Sequence, residues 1–345
     1  MQGNLKLQSG LEFIGESFGA DKSISGELVF ATGMVGYPEA LTDPSFKGQI
    51  LVMTYPLIGN YGVPDRKFWE SDKIQVSGLI VSNYIDTPSH FASKSTLAKW
   101  LKQERIPALE IKDTRMIAKH LAEKGSSLGK LAFDTIERGF EDPNLRNLVS
   151  EVSVKKPKIV GKGKKTVVLI DCGTKRNIIR ELESRGVKIL IVPWDMDFKK
   201  IKIKYHGVVV SNGPGDPKMA GATISTVKNL LKKKQPIIGI CLGNQILALS
   251  AGGDTYKLKF GHRSQNQPCL LLGTRKCFLT TQNHGFAVGK IPQGFRAWFV
   301  NANDGTNEGI IHKTLPFMSV QFHPESSPGP MDTAWVFDEF IRKIG

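Results

Sequence analysis

The sequence predicts two domains, an N-terminal α+β domain rich in β-strands and a C-terminal doubly wound α/β domain. A length of 345 residues corresponds to about two domains of ordinary size. Short β-type segments separated by Gly, Pro and Asp dominate the first half, whereas buried strands alternate with amphipathic helices in the second half. We therefore expect domains over 1–154 and 166–345, joined by a linker at 155–165.

The N-terminal domain begins with four β-type segments, LEFIGESFG, GELVFATG, QILVMTYPLIG and IQVSGLIVSN. Two amphipathic helices follow them. The first covers 95–106 with Ser95 or Thr96 as its N-cap, and the second, TRMIAKHLAEK, ends at Gly125. This mixture predicts an α+β domain.

The excess of positive charge lies in the second half of the chain. The whole chain carries +15, and the residues from 155 onward contain 30 basic against 13 acidic side chains. The segment KKPKIVGKGKK has Pro, Gly and no apolar periodicity, which predicts the linker at 155–165. Lysine runs also lie at 199–204 and 232–234. They could form either a nucleic-acid-binding surface or a solvated lysine face. Since these runs have no recognition motif and no interleaved aromatic residue, we expect no nucleic-acid partner.

Composition also bears on membranes and on the cell compartment. No apolar run reaches the roughly 18 to 20 residues that span a bilayer, so we expect no membrane association. The start MQGNLKLQSG lacks the pattern of a secretory signal, and the 4 cysteines lack paired short spacings. Free thiols are typical of a reducing compartment, which predicts a cytoplasmic protein.

The C-terminal domain alternates strands and helices through TVVLIDCG, NIIRELESRG, VKILIVP, GVVVSNGPGDP, TISTVKNLLKKK, QPIIGICLG and NQILALSAGG. In doubly wound sheets, ligands bind beyond the carboxyl ends of the strands. The loops that follow Ile170, Val210 and Ile240 are therefore the candidate binding loops.

Cys241 lies where the strand PIIGI meets the next helix, between Gly239 and Gly243. Small residues on both sides of a nucleophile allow the sharp turn of a nucleophile elbow, and a helix N-terminus favours a thiolate. The backbone N–H of Leu242 could then donate to an oxyanion. The alternative is a buried structural cysteine, the usual state of a free thiol.

A base for this cysteine is suggested by the segment SVQFHPE, in which an apolar strand leads to His323. Glu325 follows two residues later and could orient the imidazole, although a surface turn would have the same sequence. The loop SNGPGDP contains Gly213 and Gly215, and glycines without side chains allow the backbone to approach a ligand closely. The alternative is that the glycines only form a tight turn.

Together, the motifs SNGPGDP, GICLGNQ, QNHGF and QFHPE resemble the class I (triad) glutamine amidotransferases. The segment TGMVGYPEALTDPSFKGQILVMTYPLIGNYGV resembles the N-terminal domain of the small, glutamine-hydrolysing subunit of carbamoyl phosphate synthase. The resemblance implies Cys241 as nucleophile, His323 as base and Glu325 as the residue that orients the base. The implied contacts to glutamine and its oxyanion are Ser45, Gly213, Gly215, Leu242, Gln245, Asn283, Gly285 and Phe286.

The resemblance implies a glutaminase that passes ammonia to a large synthetase subunit in a hetero-oligomer, for arginine and pyrimidine synthesis. ATP and magnesium would be used by that subunit, so no cofactor or metal is predicted in this chain. One departure lies at 264–267, where Ser-Gln-Asn-Gln replaces the glycines and histidine usual in the family. Two alternatives remain, an amidotransferase subunit of another synthetase and a basic binding module without catalysis.

Overall fold

Burial alternates along the first strand, where Leu5 and Leu7 point into a core while Lys6 between them is only half-buried. The computed structural model describes residues 1–134 and 139–345. The described chain divides into two compact units, Met1–Leu145 and Arg146–Gly345. The predicted fold class, a β-rich first domain and a doubly wound second domain, is confirmed.

Seven strands of the N-terminal unit close into a barrel in the order β1-β2-β6-β5-β4-β3-β7. Neighbours from β3 to β6 are parallel, and the other pairs are antiparallel. The strands are β1 Gln2–Leu7, β2 Glu12–Ser17, β3 Ile24–Ala31, β4 Gln49–Met53, β5 Gly78–Val81, β6 Ala108–Glu110 and β7 Ser127–Ala132.

Three helices accompany the barrel, and two of them have the caps that the sequence suggests. They are α1 Tyr37–Thr42, α2 Leu97–Gln103 and α3 Thr114–Lys124. The Thr96 hydroxyl accepts a hydrogen bond from the N–H of Lys99 and so caps α2, while Gly125 ends α3 with φ +102°. Ile117 and Leu121 of α3 pack onto the apolar residues of the barrel strands.

A ten-stranded sheet forms the C-terminal unit, in the order β14-β13-β15-β16-β17-β12-β11-β9-β10-β8. Strands β17, β12, β11, β9 and β10 are parallel and form its centre, flanked by antiparallel strands. The strands are β8 Lys158–Val160, β9 Lys165–Asp171, β10 Val187–Pro193, β11 Gly207–Val210, β12 Ile237–Ile240, β13 Asp254–Leu271, β14 Cys277–Lys290, β15 Phe295–Asn301, β16 Asn307–His312 and β17 Phe317–Val320.

Helices cover both faces of this sheet, which explains why its central strands are uninterrupted Val and Ile runs. On one face Phe337 and Phe340 are fully buried, and on the other Ile246 and Leu247 are fully buried. The helices of this unit are α4 Val149–Val152, α5 Arg176–Ser184, α6 Gly221–Lys232, α7 Leu242–Ser250 and α8 Trp335–Lys343.

The predicted boundary and linker need correction. The units divide between Leu145 and Arg146 rather than at residue 154, because Val149 is buried in the core of the second unit. Within the predicted linker 155–165, β8 pairs antiparallel with the edge strand β10. An exposed edge strand needs few apolar residues, so its lysine-rich sequence gives no strand signal.

Among residues 1–134 and 139–345, every helix is too short or too polar to cross a lipid bilayer.

Candidate active site

Cys241 lies at a sharp turn between β12 and α7. Its backbone has φ +53° and ψ −103°, a conformation that L-residues rarely adopt and that costs about 1 to 3 kcal/mol. The turn places the cysteine at the carboxyl edge of the sheet and immediately before the N-terminus of α7. The nucleophile elbow predicted from the sequence is therefore present.

The flanking glycines are required by close backbone packing. A Cβ on Gly239 would lie 2.3 Å from the carbonyl oxygen of Gly243, and a Cβ on Gly243 would lie 2.1 Å from that of Val210. Both separations are far below van der Waals contact. Only glycine at these two positions lets β12 turn directly into α7 beside β11.

His323 and Glu325 form the second part of the site. The Nδ1 atom of His323 lies 2.6 Å from Oε1 of Glu325, and both side chains are almost completely buried. Nδ1 therefore donates to the carboxylate, which leaves Nε2 as the working nitrogen, and Nε2 has no hydrogen-bond partner within the described chain.

The charges around His323 favour its protonated form. Burial alone would lower the pKa of this imidazole, but the Glu325 carboxylate and the Cys241 sulfur outweigh burial and raise the pKa to about 10. An imidazolium beside a sulfur atom provides the counter-charge for a thiolate. The charged form of His323 therefore faces the Cys241 sulfur.

Lys175 is a further member of this group that sequence reasoning did not identify. Its Nζ lies 3.2 Å from Oε1 of Glu325 and donates to the carbonyl oxygen of Ser326 at 2.5 Å. Burial would raise the pKa of Glu325, but the Lys175 ammonium and then His323 lower it to about 2. A lysine side chain only 3% exposed is rare without such a partner, yet nothing in the motif DCGTKR signals it.

Gln321 also contacts the nucleophile and was not singled out from the sequence. Its Nε2 donates to the Cys241 sulfur at 3.7 Å, and its Oε1 accepts from the side-chain amides of Asn244 and Gln245, each at 3.1 Å. Gln245, a predicted glutamine contact, also donates to the carbonyl oxygen of Phe286 at 2.7 Å. A buried amide network thus reaches the sulfur through Gln321.

The predicted oxyanion loop lies against the elbow. A Cβ on Gly213 would be 2.2 Å from the carbonyl oxygen of Cys172 and 2.8 Å from the Leu242 side chain, so this loop packs on the first residue of α7. The N–H of Leu242 has no partner inside the helix because it belongs to the first turn. Gly215 adopts φ +82° and lies against Leu148.

The motif QNHGF crosses the site on β14. The Cys241 thiol donates to the carbonyl oxygen of Asn283 at 3.6 Å, while Phe286 accepts from Gln245 through its backbone. Gly285 lies near the Arg263 guanidinium, 3.3 Å from where a Cβ would stand. Apart from Ser45, the predicted residues thus belong to the loops and strands around Cys241 in one unit.

Ser45 belongs to the N-terminal unit. It is buried in a short 3-10 helix, Pro44–Phe46, where its N–H donates to the Asp43 carboxylate at 2.9 Å. Its contact with glutamine stays a prediction, as do the individual roles of the other site residues.

A parallel sheet with a strained cysteine elbow and a carboxylate-oriented histidine defines a class of protein, the cysteine hydrolases and transferases with a catalytic triad. Comparison with known families narrows this class. Residues 168–343 match the family model "Glutamine amidotransferase class-I", and residues 5–131 match "Carbamoyl-phosphate synthase small chain, CPSase domain".

Individual relatives agree with the family models. The chain is 46% identical to the multifunctional protein URA2 of Saccharomyces cerevisiae over 99% of its own length, and 48% identical to the multifunctional protein CAD of Squalus acanthias over 98%. It is 46% identical to the human "Carbamoyl-phosphate synthase [ammonia], mitochondrial" over 99%. The chain spans only 17%, 16% and 24% of these three relatives.

A solved glutamine amidotransferase from Thermotoga maritima shares 20% identity with a TM-score of 0.41, over 53% of this chain and 86% of that one. So distant a likeness adds nothing to the family matches. The chain belongs to the class I glutamine amidotransferase family, and its residues 5–131 match the model of the carbamoyl-phosphate synthase small chain.

Proposed function

We propose that this chain is the glutaminase of a carbamoyl-phosphate synthase: it hydrolyses L-glutamine to glutamate and ammonia and supplies the ammonia to a synthetase partner. The observation that carries the proposal is the strained Cys241 elbow beside the His323–Glu325 pair. Family membership supports both the substrate and the partner.

In the first step, the Cys241 thiolate attacks the side-chain amide carbon of glutamine, and a C–S bond forms as the carbonyl π electrons move to oxygen. The N–H of Leu242, together with the backbone of Gly213, would stabilise this oxyanion. The His323 imidazolium then gives its Nε2 proton to the nitrogen as the C–N bond breaks, so that ammonia leaves and a thioester remains.

In the second step, water attacks the thioester and His323, now neutral, takes its proton through Nε2. Collapse of this second oxyanion breaks the C–S bond, releases glutamate and restores the thiolate. Glu325 keeps Nδ1 as the donor nitrogen throughout, so that Nε2 can both give and receive the proton. We propose Lys175 as the positioning residue that keeps Glu325 ionised in this buried site.

The synthetase activity would belong to a large partner that uses ATP, magnesium and bicarbonate to make carbamoyl phosphate for pyrimidine and arginine synthesis. The relatives' length supports this proposal, because the chain matches less than a quarter of each. The partner would form a hetero-oligomer with this chain or continue the same polypeptide, as in the multifunctional relatives. With its 4 cysteines unpaired, we expect the protein to work in the cytoplasm.

A second candidate function is a domain that supports a synthetase which uses free ammonia, because one relative is named carbamoyl-phosphate synthase [ammonia]. Cys241 favours the glutaminase.

The test is to mix the purified chain with a carbamoyl-phosphate synthetase subunit, a GMP synthetase subunit and an anthranilate synthetase subunit in turn. Glutamine-dependent product with the first alone is expected. Activation of only the others, or product from added ammonia but none from glutamine, would overturn the proposal.

A further inference from the structure

Four atoms with lone pairs converge on one buried point outside the triad. They are Nδ1 of His262 on β13, Oε1 of Gln282 and Nε2 of His284 on β14, and Oε1 of Glu308 on β16. Gln282 Oε1 lies 2.9 Å from the His262 nitrogen and 3.1 Å from the His284 nitrogen. Glu308 Oε1 lies 3.4 Å and 3.9 Å from the same two nitrogens. We call these four residues the His-Gln-Glu cluster.

The Glu308 carboxylate is the unexplained member of the cluster. Its side chain is 0% exposed, and within residues 1–134 and 139–345 neither of its oxygens makes a hydrogen bond of ordinary geometry; His262 and Asn301 are its nearest donors. Burying an ionised carboxylate without donors is strongly unfavourable, so a buried acid normally faces a cation or a proton.

The two histidines are held in the way that metal-binding imidazoles are held. Nδ1 of His284 lies 2.9 Å from the carbonyl oxygen of Phe286, which can only accept, so Nε2 keeps its lone pair toward the cluster. Nε2 of His262 lies 2.9 Å from Oδ2 of Asp304, which leaves Nδ1 toward the cluster. A carboxylate or carbonyl on the far nitrogen is the usual outer partner of a metal-binding histidine.

The orientation of the Gln282 amide follows from its other contacts. Its Nε2 donates to Oγ1 of Thr280 at 3.1 Å, and that hydroxyl gives its own proton to the carbonyl oxygen of Gln267 at 2.9 Å. A rotated amide would place two acceptors against each other at Thr280. The oxygen of Gln282 therefore faces the cluster as a fourth acceptor.

A proton does not satisfy this geometry. Protonation of His262 would let Nδ1 donate to Gln282, but Nε2 of His284 would still face the oxygens of Gln282 and Glu308. The Asn301 amide has two hydrogens: one donates to Gln267 at 3.0 Å, and the other faces the same His262 nitrogen at 3.5 Å, which leaves the His284 nitrogen and the Gln282 oxygen opposed. A proton on Glu308 would likewise give the cluster one hydrogen for one acceptor, whereas a single cation can be bound by all four atoms at once.

We propose that the His-Gln-Glu cluster binds a divalent transition-metal ion of the Zn²⁺ type. Ligands of tetrahedral zinc stand about 2.0 to 2.2 Å from the ion and hence about 3.3 Å from one another. The cluster's ligand atoms on His262, His284 and Glu308 all lie within 4.8 Å of one another, so small shifts of side chains would close the shell. Two imidazole nitrogens with two oxygens suit zinc and its neighbours better than magnesium or calcium.

Such an ion would stiffen the wall of the active site. Asn283, whose carbonyl oxygen accepts from the Cys241 thiol, stands between two of the ligands in sequence. The carbonyl oxygen of Glu308 accepts the N–H of Gln321, the residue whose amide contacts the sulfur, at 2.8 Å. A bound ion would thus tie three strands together directly behind the nucleophile, without itself touching substrate.

The test is metal content and coordination of the full chain, measured with Zn²⁺ as the probe. The chain is dialysed against Zn²⁺, freed of loose metal, and assayed by elemental mass spectrometry and X-ray absorption. The same is done for Cys241→Ala, because the active-site thiol is a competing ligand. We expect one zinc per chain in both proteins, with nitrogen and oxygen neighbours only. A shell containing sulfur, or zinc lost with Cys241, would overturn the proposal.

Two variants test the ligands. Glu308→Gln preserves shape and removes the charge, and we expect it to weaken Zn²⁺ binding by at least about 10- to 100-fold. His312→Gln on the same strand is the matched control and should retain zinc. If Glu308→Gln does not fold, Asp304→Asn tests the same site, because Asp304 holds the far nitrogen of His262. We expect a smaller loss of Zn²⁺ affinity in that variant. Retention of zinc by every folded ligand variant, or no binding to the wild-type chain, would refute the site.

Discussion

The ammonium of Lys175 and the carboxylate of Glu325 form a buried ion pair, with Nζ 3.2 Å from Oε1 and both side chains at most 3% exposed. The same carboxylate oxygen lies 2.6 Å from Nδ1 of His323. One oxygen atom thus faces the Lys175 ammonium on one side and the His323 imidazole on the other. The negative charge of Glu325, which orients His323, is thus maintained by Lys175. This lysine directly precedes α5 and lies outside the triad.

Replacing Lys175 is expected to change the pH profile of glutamine hydrolysis. In Lys175→Met the main influence that lowers the Glu325 pKa is gone, so this pKa rises and the acid limb of kcat moves to higher pH. Lys188→Met, a half-buried lysine on β10, is the control and should leave the limb in place. A uniform loss of rate without a shifted limb would mean that Lys175 serves folding alone.

A single methyl group on Gly213 is expected to impair catalysis. Its Cβ would stand 2.2 Å from the Cys172 carbonyl oxygen, so the loop must move away from Leu242 and the oxyanion. Loss of one oxyanion donor costs about 10²- to 10³-fold in kcat, and we expect a decrease of this order for Gly213→Ala. Gly221→Ala, where a Cβ meets nothing within 4 Å, should have normal kcat. Equal kcat in both variants would count against the oxyanion role.

The four cysteines should differ in their reaction with iodoacetamide. Burial raises the pKa of Cys172 and of Cys269 far above the ordinary range, so both should remain unmodified in the folded protein. Cys241 is buried as well, but its sulfur faces the His323 imidazolium at the elbow, so on the proposed mechanism it should react first, and exposed Cys277 should follow. Time-resolved peptide mass spectrometry gives the order. Faster modification of Cys277 in the wild type, with Cys241 unaffected by His323→Ala, would contradict an activated thiolate.

The stability contributed by the His323–Glu325 pair should depend on pH in a defined window. The raised pKa of His323 stabilises the fold fully below its unfolded pKa of about 6.5, and this contribution is lost as pH rises toward about 10. The lowered pKa of Glu325 stabilises the fold above about pH 4.5, and that contribution is lost as the pH falls toward about 2. Both contributions are complete between about pH 4.5 and 6.5.

Glu325→Gln is the variant that measures this window. The difference in free energy of unfolding between wild type and Glu325→Gln should be largest near about pH 5.5 and smaller near about pH 9.5, by denaturant titration. Glu183→Gln on the exposed face of α5 should show no such trend. A difference that is constant, or that grows with pH, would show that His323 is not the charged partner.

Local sequence patterns predicted most of the C-terminal domain because each of its elements has an unambiguous signal. Buried runs such as VVLI and GVVV make strands, and the paired glycines around Cys241 mark the elbow. The closed barrel of the N-terminal unit was not predicted. Closure depends on the pairing of β1 with β7, residues far apart in the sequence that no local pattern connects.

The residues missed around the site share a physical reason. Lys175, Gln321 and Glu308 act through partners that lie 76 or more positions away or on other strands, so neither spacing nor residue type reveals them. A lysine in a basic sequence is expected at the surface, and only the burial of Lys175 against Glu325 in the structure shows that it is not there. The strand Lys158–Val160 was missed for the related reason that an edge strand needs no apolar run.

The most direct test of the central claim is the nitrogen source used by the complex of this chain with its synthetase. With Cys241→Ala, carbamoyl phosphate formation from glutamine should fall by at least about 10³-fold, while formation from added ammonia should equal that of wild type and of the control Cys277→Ala. Glutamine-dependent formation that survives in Cys241→Ala would contradict the account, because ammonia would then be released without the thioester.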